Sequence, residues 1–161
     1  MIILGIDPGT ARVGWAVIGT DKSRIHAISY GCIETEKSET PGDRLVTIHD
    51  SLVTILKKYK PAAVSVEELF FATNAKTAIS VGQARGVILL SAAECGVPVV
   101  SYSPPSVKAA ICGNGRAEKL QVQRMVTRLL RLKEIPKPDD TADALAIALT
   151  HAFSYKMKGL T

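Results

Sequence analysis

Two short, almost wholly apolar runs, Met1–Ile6 and Ala62–Val66, each lead directly into a carboxylic acid, Asp7 and Glu67. Runs of this kind read as buried strands. A carboxylate where a buried strand ends is costly unless something cationic balances it. A further acidic pair, Asp140 and Asp143, opens an Ala/Leu-rich segment of helical character near the other end of the chain. The pattern demands a fold that brings two strand ends and one helix start to a single point. The expected balance is a hard divalent metal, which prefers oxygen ligands, and carboxylate-held metals suit phosphodiester hydrolysis.

The rest of the chain supplies such a fold. Ile2–Asp7, Val13–Gly19 and Ile25–Glu34 read as three successive strands, separated by turn chemistry at Pro8-Gly9 and Asp21-Lys22-Ser23. Pro41-Gly42-Asp43 opens a helix in which Leu45, Ile48, Leu52, Ile55 and Leu56 recur at helical spacing, and Pro61 ends it. Val64 and Val66 mark a fourth strand, Asn74 to about Glu94 a long helix, and Val97–Tyr102 a fifth strand. From Ser106 onward the chain is helical, broken at Gly113-Asn114-Gly115 and Pro136–Pro138. Three hairpin-linked strands followed by alternating helix and strand predict an α/β fold: a mixed five-stranded sheet with helices on both faces, the outline of the ribonuclease H-like fold. At 161 residues this is one domain, 1–161, with a tail expected from about residue 154.

Strand alternation puts Asp7 on a face with Gly5 and Ile3, and Glu67 on a face with Ser65, while Glu68 points the other way. The small residues two positions before each acid suggest room for ions or a phosphate. Asp140 and Asp143, three apart, share one helix face, and Asp139 and Asp143, four apart, share one equally well. Helical geometry leaves that choice open, and an Asp at a helix start is also a favoured cap. Converging carboxylates raise one another's pKa values, and two metal ions about 4 Å apart would relieve that while activating water for an in-line displacement. The isolated His26, His49 and His151 offer no zinc spacing.

Charge distribution adds a partner. From Lys108 to Lys137 the chain carries Lys108, Arg116, Lys119, Arg124, Arg128, Arg131, Lys133 and Lys137 against Glu118 and Glu134, so this stretch alone exceeds the net +5 of the whole chain. A basic block beside an acidic cluster is what a metal-dependent nuclease needs, although a solvated helix face gives the same composition. Arg124, Arg128 and Arg131 read as such a stripe, opposite Val122, Met125, Val126 and Leu129. Gly113-Asn114-Gly115-Arg116 is either a plain turn or a presentation of backbone amides to phosphate. The odd set Cys32, Cys95 and Cys112, without Cys-x-x-Cys, points to a reducing cytoplasm, and no apolar run suggests a membrane span.

Five stretches, in order, resemble the RuvC family of Holliday-junction resolvases: Gly-Ile-Asp-Pro-Gly-Thr at 5–10, Val-Glu-Glu-Leu-Phe-Phe at 66–71, Gly-Gln-Ala-Arg-Gly at 82–86, Ala-Glu-Lys at 117–119 and Asp-Thr-Ala-Asp-Ala-Leu-Ala at 140–146. The resemblance spans residue 2 to about 153. It implies a homodimeric, Mg²⁺-dependent endonuclease that resolves four-way DNA junctions in recombination and repair, with two ions per site and Mn²⁺ as a substitute. It implies catalytic and metal-holding acids at Asp7, Glu67, Asp140 and Asp143, in favour of Asp140 over Asp139. It further implies DNA contacts at Phe70, Phe71, Asn74, Lys76, Arg85, Lys108 and Lys119, with Phe70 probing bases by stacking, and a two-fold interface around Gly82 and Gly86. A bacterial cytoplasmic location near the nucleoid and a branch-migration motor partner of the RuvA and RuvB type follow from family alone. Asp-x-Gly-Thr followed by Gly14 also recurs in sugar-kinase-like phosphate loops, but those enzymes need two large lobes. A non-catalytic junction-binding module fits less well because all four acids are retained, and a YqgF-like relative fits less well because the 117–119 and 140–146 stretches favour RuvC.

Overall fold

The structure, a computed structural model, describes the backbone of residues 1–21, 24–68 and 75–158, and side chains within these except at 75–77 and 156–158. Strands β1 (Ile2–Asp7), β2 (Arg12–Thr20), β3 (Ile25–Glu34), β4 (Ala63–Glu67) and β5 (Val99–Tyr102) form one sheet in the order β3-β2-β1-β4-β5. Between and after them run α1 (Pro41–Tyr59), α2 (Ala75–Glu94), α3 (Pro104–Cys112), α4 (Lys119–Leu129) and α5 (Asp139–Lys158). The first three strands are antiparallel neighbours, whereas β4 pairs parallel to β1 and β5 parallel to β4. This is the mixed, two-sided sheet the sequence predicts.

Each face of the sheet buries its own core. Leu4, Ile6, Val17, Val64 and Val66 pack with Ile48 and Leu52 of α1 and Ala84 and Ile88 of α2. Ile3, Ala16 and Ile18 on the opposite face pack with Val107 of α3, Val126 of α4 and the long run Ala144–Leu149 of α5. All six residues of that run are at most 1% exposed. A helix enclosed all round is a core element, and each Leu or Ile so buried contributes about 1.5–3 kcal/mol. α5 continues as helix to Lys158, and Ser154 Oγ donates to the Thr150 carbonyl of the preceding turn at 2.9 Å.

Two glycines let α5 approach. A Cβ on Gly14 would collide with the Asp140 carbonyl, and one on Gly5 would lie 2.7 Å from the Ala148 Cβ and strike the Ala144 carbonyl. The space that the sequence suggests for ions beside Gly5 is therefore filled by α5. Side-chain size reveals a gap in a strand face but not what enters it. The seating has a direct effect on chemistry: it presses the first turn of α5 onto the strand ends.

Candidate active site

Parallel pairing of β1 with β4 sets Ile6 opposite Val66, so Asp7 and Glu67, the next residue of each strand, emerge side by side. Both lie at carboxyl ends of strands, where α/β sheets place ligands. Gly14 of β2 pairs with Asp7 and lies under Asp140, which brings the start of α5 over the same point. Asp7, Glu67, Asp140 and Asp143 thus belong to one cluster drawn from three elements. The electrostatics bear this out. Burial raises the Asp7 carboxyl well above its usual range, and Asp143, Glu67 and Asp140 push it further in the same direction. Burial, then Asp143, moves Glu67 from 4.5 to about 7. Asp143 is raised by burial, opposed by Lys119.

Among the described residues, two cations form ion pairs with the cluster and its neighbour Asp139. Lys119, at the start of α4, places Nζ 2.6 Å from Asp139 Oδ2 and 2.7 Å from Asp143 Oδ2. These bonds hold its ammonium above the ordinary lysine range despite desolvation, and the Lys119 bond holds Asp139 below the usual carboxylate range. Asp139 is thereby a lysine partner at the helix start. Arg12, at the start of β2, approaches from the other side, its Nη1 3.4 Å from Asp140 Oδ2. Sequence reasoning did not single it out. Alternation offered the signal, since residue 12 shares a strand face with Gly14.

Lys108 joins Glu67, Lys119 and Asp143 around a cavity of about 190 Å³ floored by Val107, Val122, Ala146 and Ile147. Lys108 and Lys119 therefore stand beside the acids. Arg85, on α2, has a partner within the fold. Its Nη2 donates to Ser101 Oγ of β5 at 2.8 Å, bracing α2 against the sheet. Register explains this, because Ser101 pairs with Val66, whose side chain lies on the α1/α2 face. Arg131 also departs from the expected stripe: α4 ends at Leu129, and Arg131 adopts φ 54° beyond it. Gly113 caps α3 in the left-handed region, and the Arg116 amide donates to Asn114 Oδ1 at 3.0 Å, so this segment is a turn with that amide already engaged. Phe70, Phe71 and Asn74, and the side chain of Lys76, lie outside the described residues, as do Lys22 and Ser23 of the first long turn.

The donor set suits a hard divalent ion. It consists of carboxylate oxygens only, one of which, Asp140 Oδ2, is shut away from solvent without a hydrogen-bond partner. Among the described residues no three acids already converge at ligand distance on one point. Lys119 is bonded to Asp143 in this arrangement.

The family model described as "Crossover junction endodeoxyribonuclease RuvC" matches residues 3–151. The chain belongs to the RuvC family. A RuvC of Desulfitobacterium hafniense is 52% identical over 157 residues, covering 98% of this chain and 95% of that one. The solved RuvC of Thermus thermophilus superposes with a TM-score of 0.90 at 41% identity, covering 98% of this chain and 97% of that one. The same RuvC solved in complex with a Holliday junction substrate gives a TM-score of 0.92 at 41% identity, covering 98% and 96%. The ribonuclease H-like fold expected from the sequence is that of these RuvC structures.

Proposed function

We propose that this chain is a crossover-junction endodeoxyribonuclease that resolves four-way DNA junctions by paired, symmetric cuts in strands of like polarity. The observation that carries this reading is the meeting of four carboxylates from β1, β4 and α5 beside Lys108 and Lys119. Membership of the RuvC family and likeness to the junction-bound Thermus protein support the branched substrate.

Asp7, Glu67, Asp140 and Asp143 would hold two Mg²⁺ ions, with Mn²⁺ able to replace them. Bound there, such ions supply Lewis acidity and charge neutralisation for hydrolysis that leaves 5′-phosphate and 3′-hydroxyl ends. The chain's own contribution is positional. β1 and β4 fix two acids side by side, Gly14 seats the first turn of α5 against them, and Lys108 and Lys119 draw the phosphodiester to the cluster. The branch-migration motor remains a partner suggested by family.

Two like-polarity strands of a junction are related by a two-fold axis, which a homodimer matches with one site for each. α2 supports that assembly. Ile79, Gln83, Gly86 and Leu90 are exposed along one side of it, Ile79 to 78% and Leu90 to 52%, opposite the buried Ala84 and Ile88. A Cβ at Gly86 would meet nothing within 4 Å, so packing inside one protomer does not require a glycine there. A glycine there would let a second α2 come close.

The test is cleavage of a mobile four-way junction against linear duplex of the same sequence, with wild type and Asp7→Asn in Mg²⁺. Paired nicks confined to the junction and lost in D7N are expected. Equal cutting of both substrates, or near-wild-type cutting by D7N, would refute the reading.

A further inference from the structure

Arg12 and Lys119 hold the acidic cluster from opposite sides, but they hold it differently. Lys119 is clamped by two short charge-assisted bonds, 2.6 and 2.7 Å. Arg12 makes one long contact, 3.4 Å, and the oxygen it faces is left without a hydrogen bond although enclosed. Good guanidinium–carboxylate bonds run at about 2.7–2.9 Å, so this pair is held by charge rather than by geometry. The Arg12 side chain is 49% exposed, and its backbone is fixed. Arg12 pairs with Glu34 in the β2–β3 ladder, and Gly14, two residues on, is pinned beneath Asp140. Only the side chain is left free to swing.

We propose that Arg12 is an exchangeable counter-cation: it guards Asp140 while no divalent ion is bound, and it transfers to a DNA phosphate when one is. A divalent ion arriving at the carboxylates repels the guanidinium, and the loosest of the cationic contacts yields first. The released fork of donors, at the rim of the cluster, matches a phosphate in a bidentate way that an ammonium does not. Metal binding and DNA binding are thereby coupled through one side chain, each favouring the other. Asp140 is the donor this exchange uncovers. The proposal rests on the junction-cutting function above and adds a positioning residue to it.

The test uses full-length protein. Mn²⁺ binding without DNA is followed by electron paramagnetic resonance, and junction affinity is measured in Ca²⁺, with cutting monitored, and in EDTA, for wild type, Arg12→Gln and Arg12→Lys. R12Q should bind Mn²⁺ about threefold more tightly, the scale of a half-exposed ion pair. It should also lose about threefold of the affinity gain that Ca²⁺ gives wild type, and its salt slope in Ca²⁺ should be shallower by about 0.9 per lost phosphate contact. R12K, which keeps the charge but not the fork, should match wild type in Mn²⁺ affinity and keep only part of the Ca²⁺-linked gain. Mn²⁺ affinity that is unchanged or weaker in R12Q overturns the exchange, as does an unchanged Ca²⁺-linked gain, and so does an R12K whose Mn²⁺ affinity matches that of R12Q. A salt bridge that stays in place would alter Mn²⁺ affinity through its charge but leave the Ca²⁺-linked gain in junction affinity unchanged. If wild type binds neither Mn²⁺ nor junction, the junction-cutting function itself fails, whereas normal wild-type binding with an indistinguishable R12Q sinks Arg12 alone.

Discussion

Glu67→Gln should make the metal-free protein more stable, and only at pH values where Glu67 would be charged. In the folded chain burial moves this carboxyl from 4.5 to about 7. Between those values the native state keeps a proton that the unfolded chain has released. Stability therefore falls as pH rises from about 4.5, and the loss is complete above about 7. At about 1.4 kcal/mol per pH unit, the shift sets an upper bound of about 3 kcal/mol. Gln keeps the shape and removes the charge, so in EDTA at pH 8 E67Q should gain up to that amount. For a chain of this size the gain corresponds to a Tm roughly 6–10 °C higher. At pH 4.5 the two proteins should melt together. Adding Mg²⁺ at pH 8 should raise the Tm of wild type and move E67Q less, because the ion stabilises only what it binds. Thermal melts by circular dichroism across this pH range provide the measurement. Equal melting at pH 8, or an offset that does not change with pH, would show that Glu67 is not under the electrostatic load its burial implies.

Gly14→Ala places a methyl against the Asp140 carbonyl, so it should cost about 1–3 kcal/mol by urea titration and abolish cutting even where the protein stays folded. Gly86→Arg points into open space within one protomer; its Tm should stay within a few degrees of wild type while light scattering reports a monomer, and an intact dimer would remove α2 from the interface. Lys119→Met removes the partner of Asp139 and Asp143. With the lysine 53% exposed, the stability lost should be no more than about 1 kcal/mol, whereas junction affinity measured by gel shift should drop clearly. Full junction affinity in that variant would place Lys119 outside the DNA contact.

Sequence revealed most where a local pattern met a topological rule. Apolar runs that reach an acid showed the strand ends, and three-residue spacing put Asp140 and Asp143 on one side of α5. Long-range pairing was less visible. Nothing local tells Lys119 that Asp139, twenty residues on, will bond it. Arg85 shows the same limit: its place in a family-like stretch gives no hint that sheet register sets Ser101 within its hydrogen-bonding reach. At Gly5 the small side chain was read as room for an ion, whereas its true neighbour depended on where a helix more than 130 residues away comes to rest. Arg12 was hidden for a simpler reason, since its importance comes from Asp140 lying above Gly14.

The seat of α5 on Gly5 and Gly14 has a consequence for ion choice. With backbone touching backbone there, the distance between strand-borne and helix-borne oxygens has little give. If the cluster holds the divalent ions proposed above, such a frame would favour a small ion that insists on regular octahedral coordination and penalise a larger one that needs more ligands, farther out. Widening the frame from beneath, by altering the alanines of α5 that rest on β1, is then a route to relaxed cation discrimination that leaves every acid in place.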